Sequence, residues 1–101
     1  MAISMIESKG SSYEVINEQG KRIKSIPQSI GEILGYGPRF FMVKRGANYD
    51  FYDESCKRYK TLGENIGKFV SVAGDTFVIR KNSLLETYDR FGKKISSRYA
   101  R

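Results

Sequence analysis

The sequence predicts an all-β, antiparallel fold made of three tandem meanders of about 36 residues each. Turn signals recur at roughly 8–12-residue spacing, and no stretch shows a sustained helical period. A fixed period of this length is typical of repeat architectures. We expect a small propeller-like or three-fold repeat domain, with a β-trefoil-like closure or an open twisted sheet as alternatives. Three sets of residues carry the period: Asn17, Asp53 and Asp89; Gly20, Cys56 and Gly92; Lys21, Lys57 and Lys93.

The composition indicates one small domain. The chain has 101 residues and contains seven Tyr, six Phe and no Trp, a bias that favours strands. No apolar run is long enough to span a membrane. Residues 1–9 lack the basic and hydrophobic regions of a secretory signal. We therefore expect a cytosolic protein, or alternatively a piece of a larger or exported one.

The numbers of cysteine and histidine residues limit the kinds of metal and catalytic site that we expect. Cys56 is the only cysteine and histidine is absent, so the usual zinc and copper sites and Ser–His or Cys–His catalysis lack their residues. We expect no cofactor, no metal and no catalytic activity. The net charge of +7 favours polyanions or acidic partners, and also promotes solubility.

The first unit reads as two strands, a hairpin turn and a return strand. Residues 3–9 and 13–17 are predicted strands joined by a turn at 10–12, and residues 17–20 fit a type I turn closed by a residue with positive φ. Residues 21–26 form the return strand, which Pro27 should stop because proline cannot donate to the ladder. Residues 28–37 are predicted to be a loop with a short strand at 33–34, and only 29–35 would accommodate a helical turn.

The next two units repeat this order. In the second unit we expect strands at 39–44, 49–53, 57–62 and 68–73, with a loop at 63–67. In the third we expect strands at 76–80, 84–89 and 93–98. The predicted units cover residues 3–38, 39–74 and 75–101, and the third lacks a fourth strand.

Aligning the units by 36 residues gives apolar columns that should form the core. A single hairpin cannot bury such faces alone, so neighbouring units must cover them. The columns are Met5, Phe41 and Phe77; Ile6, Met42 and Val78; Val15, Phe51 and Thr87; Ile16, Tyr52 and Tyr88; and Ile23, Tyr59 and Ile95.

Basic residues occupy other columns, at the positions where each return strand begins. If the units lie side by side, this charge would form a stripe for phosphate groups, with tyrosines as stacking surfaces. The alternative is solubility and protection of strand edges by lysine, and acidic side chains on the same hairpins would offset the charge. The candidate polyanion-binding residues are Lys21, Arg22, Lys24, Lys57, Arg58, Lys60, Lys93, Lys94, Tyr52 and Tyr59.

The turns themselves predict local hydrogen bonds rather than a calcium loop. Asn17, Asp53 and Asp89 lack the alternating oxygen ligands of an EF-hand, so each should bond its own turn. Cys56 replaces the glycine of the sister turns. Because cysteine tolerates positive φ poorly, its turn should be strained or of another type.

The line from Phe40 to Lys57, Phe-Phe-Met-Val-Lys-Arg-Gly-Ala-Asn-Tyr-Asp-Phe-Tyr-Asp-Glu-Ser-Cys-Lys, resembles the WG-repeat family of bacterial β-repeats. Residues 10–21 and 75–93 match more loosely. The chain departs from the family in having no Trp, and in carrying Glu14, Asp50 and Glu86 where the family has glycine. The resemblance implies a binding or scaffold module and no catalytic residue.

Two functions follow as expectations. The first is a non-catalytic module that binds protein or peptide. The second is a binder of nucleic acid or acidic glycan through the basic columns. Because an unclosed repeat array exposes strand edges, association of copies through those edges is also expected.

Overall fold

The computed structural model describes residues 2–99, and it confirms an all-β, antiparallel fold. Two 3-10 turns are the helical segments within these residues, and neither is long and apolar enough to cross a membrane. The strands are β1 (Ile3–Lys9), β2 (Ser12–Asn17), β3 (Arg22–Pro27), β4 (Glu32–Tyr36), β5 (Phe40–Arg45), β6 (Asn48–Asp53), β7 (Arg58–Gly63), β8 (Lys68–Ala73), β9 (Thr76–Lys81), β10 (Leu84–Asp89) and β11 (Lys94–Tyr99).

The strands form three separate sheets. Sheet I contains β1–β2–β3, sheet II contains β4–β5–β6–β7 and sheet III contains β8–β9–β10–β11, each in chain order. The chain does not form the single open twisted sheet that we considered as an alternative.

The predicted grouping of strands into units needs a correction. The fourth strand of the first predicted unit is β4, and it pairs with β5 in sheet II; likewise β8 pairs with β9 in sheet III. A 3-10 turn at Gln28–Ile30 and another at Glu64–Ile66 carry the chain from one sheet to the next. The three-stranded sheet is therefore the first, whereas the third sheet has four strands.

The connections also differ in detail from the prediction. The 3-10 turn at Glu64–Ile66 lies in a segment predicted to be a loop, and the one at Gln28–Ile30 only overlaps the segment where a helical turn was expected. Pro27 is the last residue of β3 and pairs with Ser12 rather than ending the strand before it. It is tolerated because β3 is an edge strand.

Sheet II lies between the other two sheets. One buried cluster lies between sheets I and II, and a second lies between sheets II and III. We call the face of each sheet that points to the next sheet along the chain its forward face, and the opposite face its rear face. Forward faces carry Val15 and Ile26 in sheet I and Met42 and Phe51 in sheet II; rear faces carry Phe41 and Val43 in sheet II and Phe77 and Ile79 in sheet III.

The apolar columns are buried in the centre and open at the ends. Phe41 and Met42 have no exposed surface. Their column mates at the two ends differ, because Met5 lies on the rear face of sheet I and is 40% exposed. Ile95, on the forward face of sheet III, is 56% exposed. The prediction of core positions is therefore correct for sheet II and wrong for Met5 and Ile95, which no other sheet covers within residues 2–99.

Repeated contacts join consecutive sheets. The Tyr13 hydroxyl donates to the Gly31 carbonyl at 3.0 Å, and the Tyr49 hydroxyl donates to the Gly67 carbonyl at 2.7 Å. Each glycine follows a 3-10 turn and precedes the first strand of the next sheet. A forward-face tyrosine thus fixes the connection into the following sheet.

Gly67 tests how tightly this connection is packed. Its φ is +136°, and a Cβ there would overlap Ile79 and lie 2.6 Å from the Arg80 carbonyl oxygen. We expect Gly67→Ala to lower the free energy of unfolding by more than about 3 kcal/mol through backbone strain and overpacking. Gly10→Ala is the control, since Gly10 also has positive φ, +60°, but open space around it, and should cost only about 1 kcal/mol. Urea denaturation measures both; equal losses would contradict this packing.

Candidate functional site

The three hairpin turns share one hydrogen-bond pattern. Asp53 Oδ1 accepts the backbone N–H groups of Ser55 and Lys57 at 2.9 and 3.0 Å. Asn17 and Asp89 accept the corresponding pairs at the same distances to within 0.1 Å. The prediction that these side chains bond their own turns is confirmed. Their oxygens therefore serve the turn.

Cys56 adopts the left-handed conformation that glycine has in the sister turns. Its φ is +64°, so the turn is of the same type and carries backbone strain. The side chain is 7% exposed and belongs to the cluster between sheets I and II. Burial raises the pKa of the Cys56 thiol, and the charge of Lys24 offsets this only in part. The thiol thus fills the junction and is held in its protonated form.

Two basic residues follow each hairpin turn, and the second of them contacts an acidic residue of the preceding strand. Arg22 lies 3.2 Å from Glu14, Arg58 lies 3.8 Å from Asp50, and Lys94 lies 3.3 Å from Glu86. Both columns follow the 36-residue period. The pairs offset the charge of three predicted polyanion-binding residues, although Arg58 shares Asp50 with Arg45, so the stripe is weaker than the sequence alone indicates.

Asp50 is the most enclosed of these carboxylates. Its side chain has no exposed surface, and it accepts hydrogen bonds from Arg45 Nε at 2.7 Å and Thr61 Oγ1 at 2.8 Å. Burial is the largest influence and acts to raise the pKa of Asp50. The hydrogen bonds from Arg45 and Thr61 and the charges of Arg45 and Arg58 together outweigh it, and the pKa lies below its ordinary value.

The two tyrosines predicted as stacking surfaces are occupied by packing within the protein. The Tyr52 ring stacks on Phe41 with centroids 5.0 Å apart. The Tyr59 ring packs against Phe51 and Phe91, and its hydroxyl donates to the Arg90 carbonyl. Burial raises the pKa of Tyr59 to about 12. Neither ring is presented openly to a base.

An exposed aromatic tip lies beside Tyr59 and was missed in the sequence. Phe91 is 54% exposed, and the Arg90 guanidinium lies 4.2 Å above its ring. Lys60 reaches the same turn, because its Cε would lie 3.0 Å from a Cβ on Gly92. The signal was an aromatic residue in a turn whose sister turns carry Gln19 and Ser55.

The five remaining basic candidates are exposed, and they form no salt bridge within residues 2–99. They are Lys21, Lys24, Lys57, Lys60 and Lys93. The structure distributes them over three hairpin ends, with Lys60 and Lys93 at the turn that carries Phe91. Because this turn combines an exposed aromatic ring with two of these lysines, it is the strongest candidate within the predicted polyanion-binding surface.

A separate cleft of about 500 Å³ opens between sheets II and III. Its apolar lining comes from Leu34, Tyr49 and Phe69, and its charged lining from Glu32, Lys44, Glu64 and Lys68. In β6, Tyr49 lies near the strand's start and Asp53 at its end. The cleft and the basic hairpin turns are therefore at opposite ends of the sheets. The cleft could not be predicted from the sequence, because it depends on the pairing of β8 with β9 in sheet III.

Lys44 and Glu64 both line the cleft and form an ion pair, with Lys44 Nζ 3.0 Å from Glu64 Oε2. The hydrogen bond and then the charge of Glu64 raise the pKa of Lys44. At the junction of sheets I and II the equivalent positions are neutral: Gln28 Nε2 donates to Ser8 Oγ at 2.7 Å. The junction between sheets I and II thus has a neutral hydrogen bond at the positions where the junction between sheets II and III has an ion pair.

Comparisons with models of protein families, with curated proteins and with solved structures found no match to this chain. The resemblance to WG repeats therefore stays a prediction from the residues. Within residues 2–99, no group of three or more His, Cys, Asp and Glu side chains is placed to hold a metal ion.

The buried Asp50 pair gives a pH-dependent prediction. Because its pKa is lowered in the folded state, its contribution to stability is complete above the ordinary carboxyl pKa of about 3.9 and declines as the pH falls below it. At pH 7 we expect Asp50→Asn to lower the free energy of unfolding by about 2 kcal/mol. The difference from the parent protein should shrink towards pH 3.

Glu14→Gln provides the matched control, since Glu14 occupies the same column on the open face of sheet I and its side chain is 17% exposed. It should cost less than about 0.5 kcal/mol. Urea denaturation from pH 3 to 7 distinguishes the two variants. A pH-independent cost of Asp50→Asn would contradict the assigned ion pair.

Proposed function

We propose that the protein is a non-catalytic binding module that holds a segment of a partner protein in the cleft between sheets II and III. The observation that carries this proposal is the composition of the cleft. Its volume of about 500 Å³ falls within the range of small-ligand and peptide sites, and its apolar lining is edged by charges of both signs.

The ionisable groups favour binding over chemistry. A lysine or cysteine acts as a nucleophile in its deprotonated form. The pKa of Lys44 is raised by Glu64, and the pKa of Cys56 is raised by burial. Burial also raises the pKa of Tyr52, Tyr59 and Tyr88. Each group is thus shifted away from its reactive form.

The lining indicates the chemistry of the bound segment. Leu34 and Phe69 provide an apolar wall for one aliphatic or aromatic side chain. Glu32 on β4 lies opposite Lys44 on β5 in the sheet register. An acidic and a basic side chain therefore lie together at the rim of the cleft. A segment with one apolar anchor between an acidic and a basic residue fits this arrangement.

Selection from a display library of random peptides on the immobilised 101-residue protein tests this proposal. We expect enriched peptides to share the apolar anchor with flanking charges. The double variant Lys44→Ser/Glu64→Gln installs the neutral pair found at the Ser8–Gln28 position, so it should fold normally. Its affinity for an enriched peptide, measured by calorimetry, should fall about tenfold or more.

Lys57→Ser/Glu54→Gln is the matched control because it makes the same change in charge at a hairpin turn distant from the cleft. It should bind peptide as the parent protein does. Equal affinity of the cleft variant and the parent protein would refute binding in the cleft.

Polyanion binding is a second candidate, supported by the turn that combines exposed Phe91 with Arg90, Lys60 and Lys93. An aromatic ring with adjacent cations is the arrangement that single-stranded nucleic acid uses for stacking and phosphate contacts. Net charge alone would give weaker, ring-independent binding.

Titration with a fluorescent oligothymidine over a range of salt concentrations separates the two cases. If the turn binds, Phe91→Ala should weaken affinity about fivefold or more by loss of stacking, and Lys93→Gln should reduce the salt dependence. Tyr36→Ala, an exposed aromatic on β4, is the control and should change neither. Absence of binding at low salt would eliminate this candidate.

A further inference from the structure

The forward face of sheet III repeats a surface that is covered elsewhere in the chain. Its residues lie 36 positions after forward-face residues of sheet II that pack against sheet III. Val70 is 47% exposed and Ile95 is 56% exposed, although their counterparts Leu34 and Tyr59 are packed. The other residues of the face are partly buried. The face consists of Val70, Val78, Leu85, Thr87 and Ile95, and their counterparts are Leu34, Met42, Tyr49, Phe51 and Tyr59.

The rear face of sheet I is the complementary open surface. Sheets II and III each present a stacked aromatic pair on this face, Phe41 with Tyr52 and Phe77 with Tyr88. In sheet I the same two positions are Met5 and Ile16, which are cross-strand partners. Met5 is 40% exposed where Phe41 and Phe77 have no exposed surface, whereas Ile16 is partly buried like Tyr52 and Tyr88.

We propose that copies of this chain associate head to tail, with the forward face of sheet III in one copy packed on the rear face of sheet I in the next. The chain already forms this junction twice, between sheets I and II and between sheets II and III. The contact between copies would be a third junction of the same geometry. It uses sheet faces, unlike pairing through strand edges.

Charge complementarity favours a second copy as the occupant. Ile26 and Val43 belong to one buried cluster, and Leu62 and Ile79 belong to the other. At the open ends these two columns continue as Arg98 on sheet III and Glu7 on sheet I. A third junction would therefore enclose Arg98 of one copy and Glu7 of the next in the same interface, where their opposite charges attract.

Leu85 supplies an independent argument. Its counterparts Tyr13 and Tyr49 donate to the carbonyls of Gly31 and Gly67, each of which precedes the first strand of a four-stranded sheet. Within residues 2–99, sheet I has three strands and none of its residues forms that connection. Leu85, which has no hydroxyl to satisfy, needs no acceptor from the surface that covers it.

Such a contact is heterologous, and it closes into a ring if the rotation between sheets permits or otherwise extends into a filament. The cleft between sheets II and III stays outside it, so peptide binding and self-association are independent.

Sedimentation equilibrium of the 101-residue protein over a dilution series tests the proposal. We expect reversible association of the parent protein, and a monomer at every concentration would overturn it. Glu7→Arg and Arg98→Glu should each weaken association about tenfold by placing like charges together. Glu54→Arg, the same charge change at a hairpin turn, should have no effect.

The decisive step is to mix the two charge variants. In a head-to-tail contact every junction in a mixture of Glu7→Arg and Arg98→Glu chains can pair opposite charges, so association should return to the parent level. The double variant Glu7→Arg/Arg98→Glu should associate equally well. Failure of both to recover, or an effect of only one single variant, would indicate a different contact and overturn the proposal.

Ile95→Glu covers the case in which the ion pair contributes little. It places a carboxylate in the apolar centre of the forward face, where burial is costly, and should weaken association by more than about tenfold. Because Ile95 is exposed in the monomer, the thermal midpoint measured at low concentration should stay unchanged. Undiminished association of a folded Ile95→Glu protein would exclude the forward face.

Discussion

The structure depends on covering the two faces of sheet II. Phe40, Phe41, Met42 and Val43 are consecutive in β5 and none has exposed surface. Alternation in a strand places two of these side chains on each face, so the strand is stable only with a layer on both sides. Sheets I and III supply those layers. A sheet of three or four strands has little stability by itself, and the junctions between sheets are therefore the main source of folding free energy.

These junctions require sheets II and III to approach closely at the edges formed by β4 and β8. Strands β4 and β8 run beside each other, and a Cβ on Gly35 would lie 3.0 Å from Val72. Gly37 would likewise meet the Gly74 carbonyl oxygen. The chain crosses between sheets beside this edge, where the Ile3 N–H donates to the Pro38 carbonyl at 2.7 Å. Small residues thus occur where the sheets converge, and large aromatic residues fill the space where they diverge.

The sequence was sufficient for features that are local or periodic. The Asp53 turn and its sister turns follow from residue types within five positions, and the strands follow from alternation and turn spacing. The assignment of β4 and β8 to sheets was wrong because strand pairing depends on where a connection leads, which no local pattern records. The basic stripe was overestimated for a similar reason. Arg58 pairs with Tyr52 on the rear face near Asp50, whereas Lys57 leaves the turn towards solvent, a difference of one residue that only the bulged register reveals.

This architecture also determines where function can reside. Each face of sheet II is buried in a junction, so the residues on both faces have little freedom to change. The hairpin turns, the connections and the two end faces lie outside that constraint, and the repeats diverge there: Gln19, Ser55 and Phe91 in one column, and Gln28 and Glu64 in another. At the end faces, Glu7 and Arg98 occupy columns whose other members are apolar residues of shared buried clusters. A random loss of apolar character would leave unrelated polar residues, whereas opposite charges in facing columns retain complementarity. That pattern is a physical reason to regard the end faces as surfaces that bind each other.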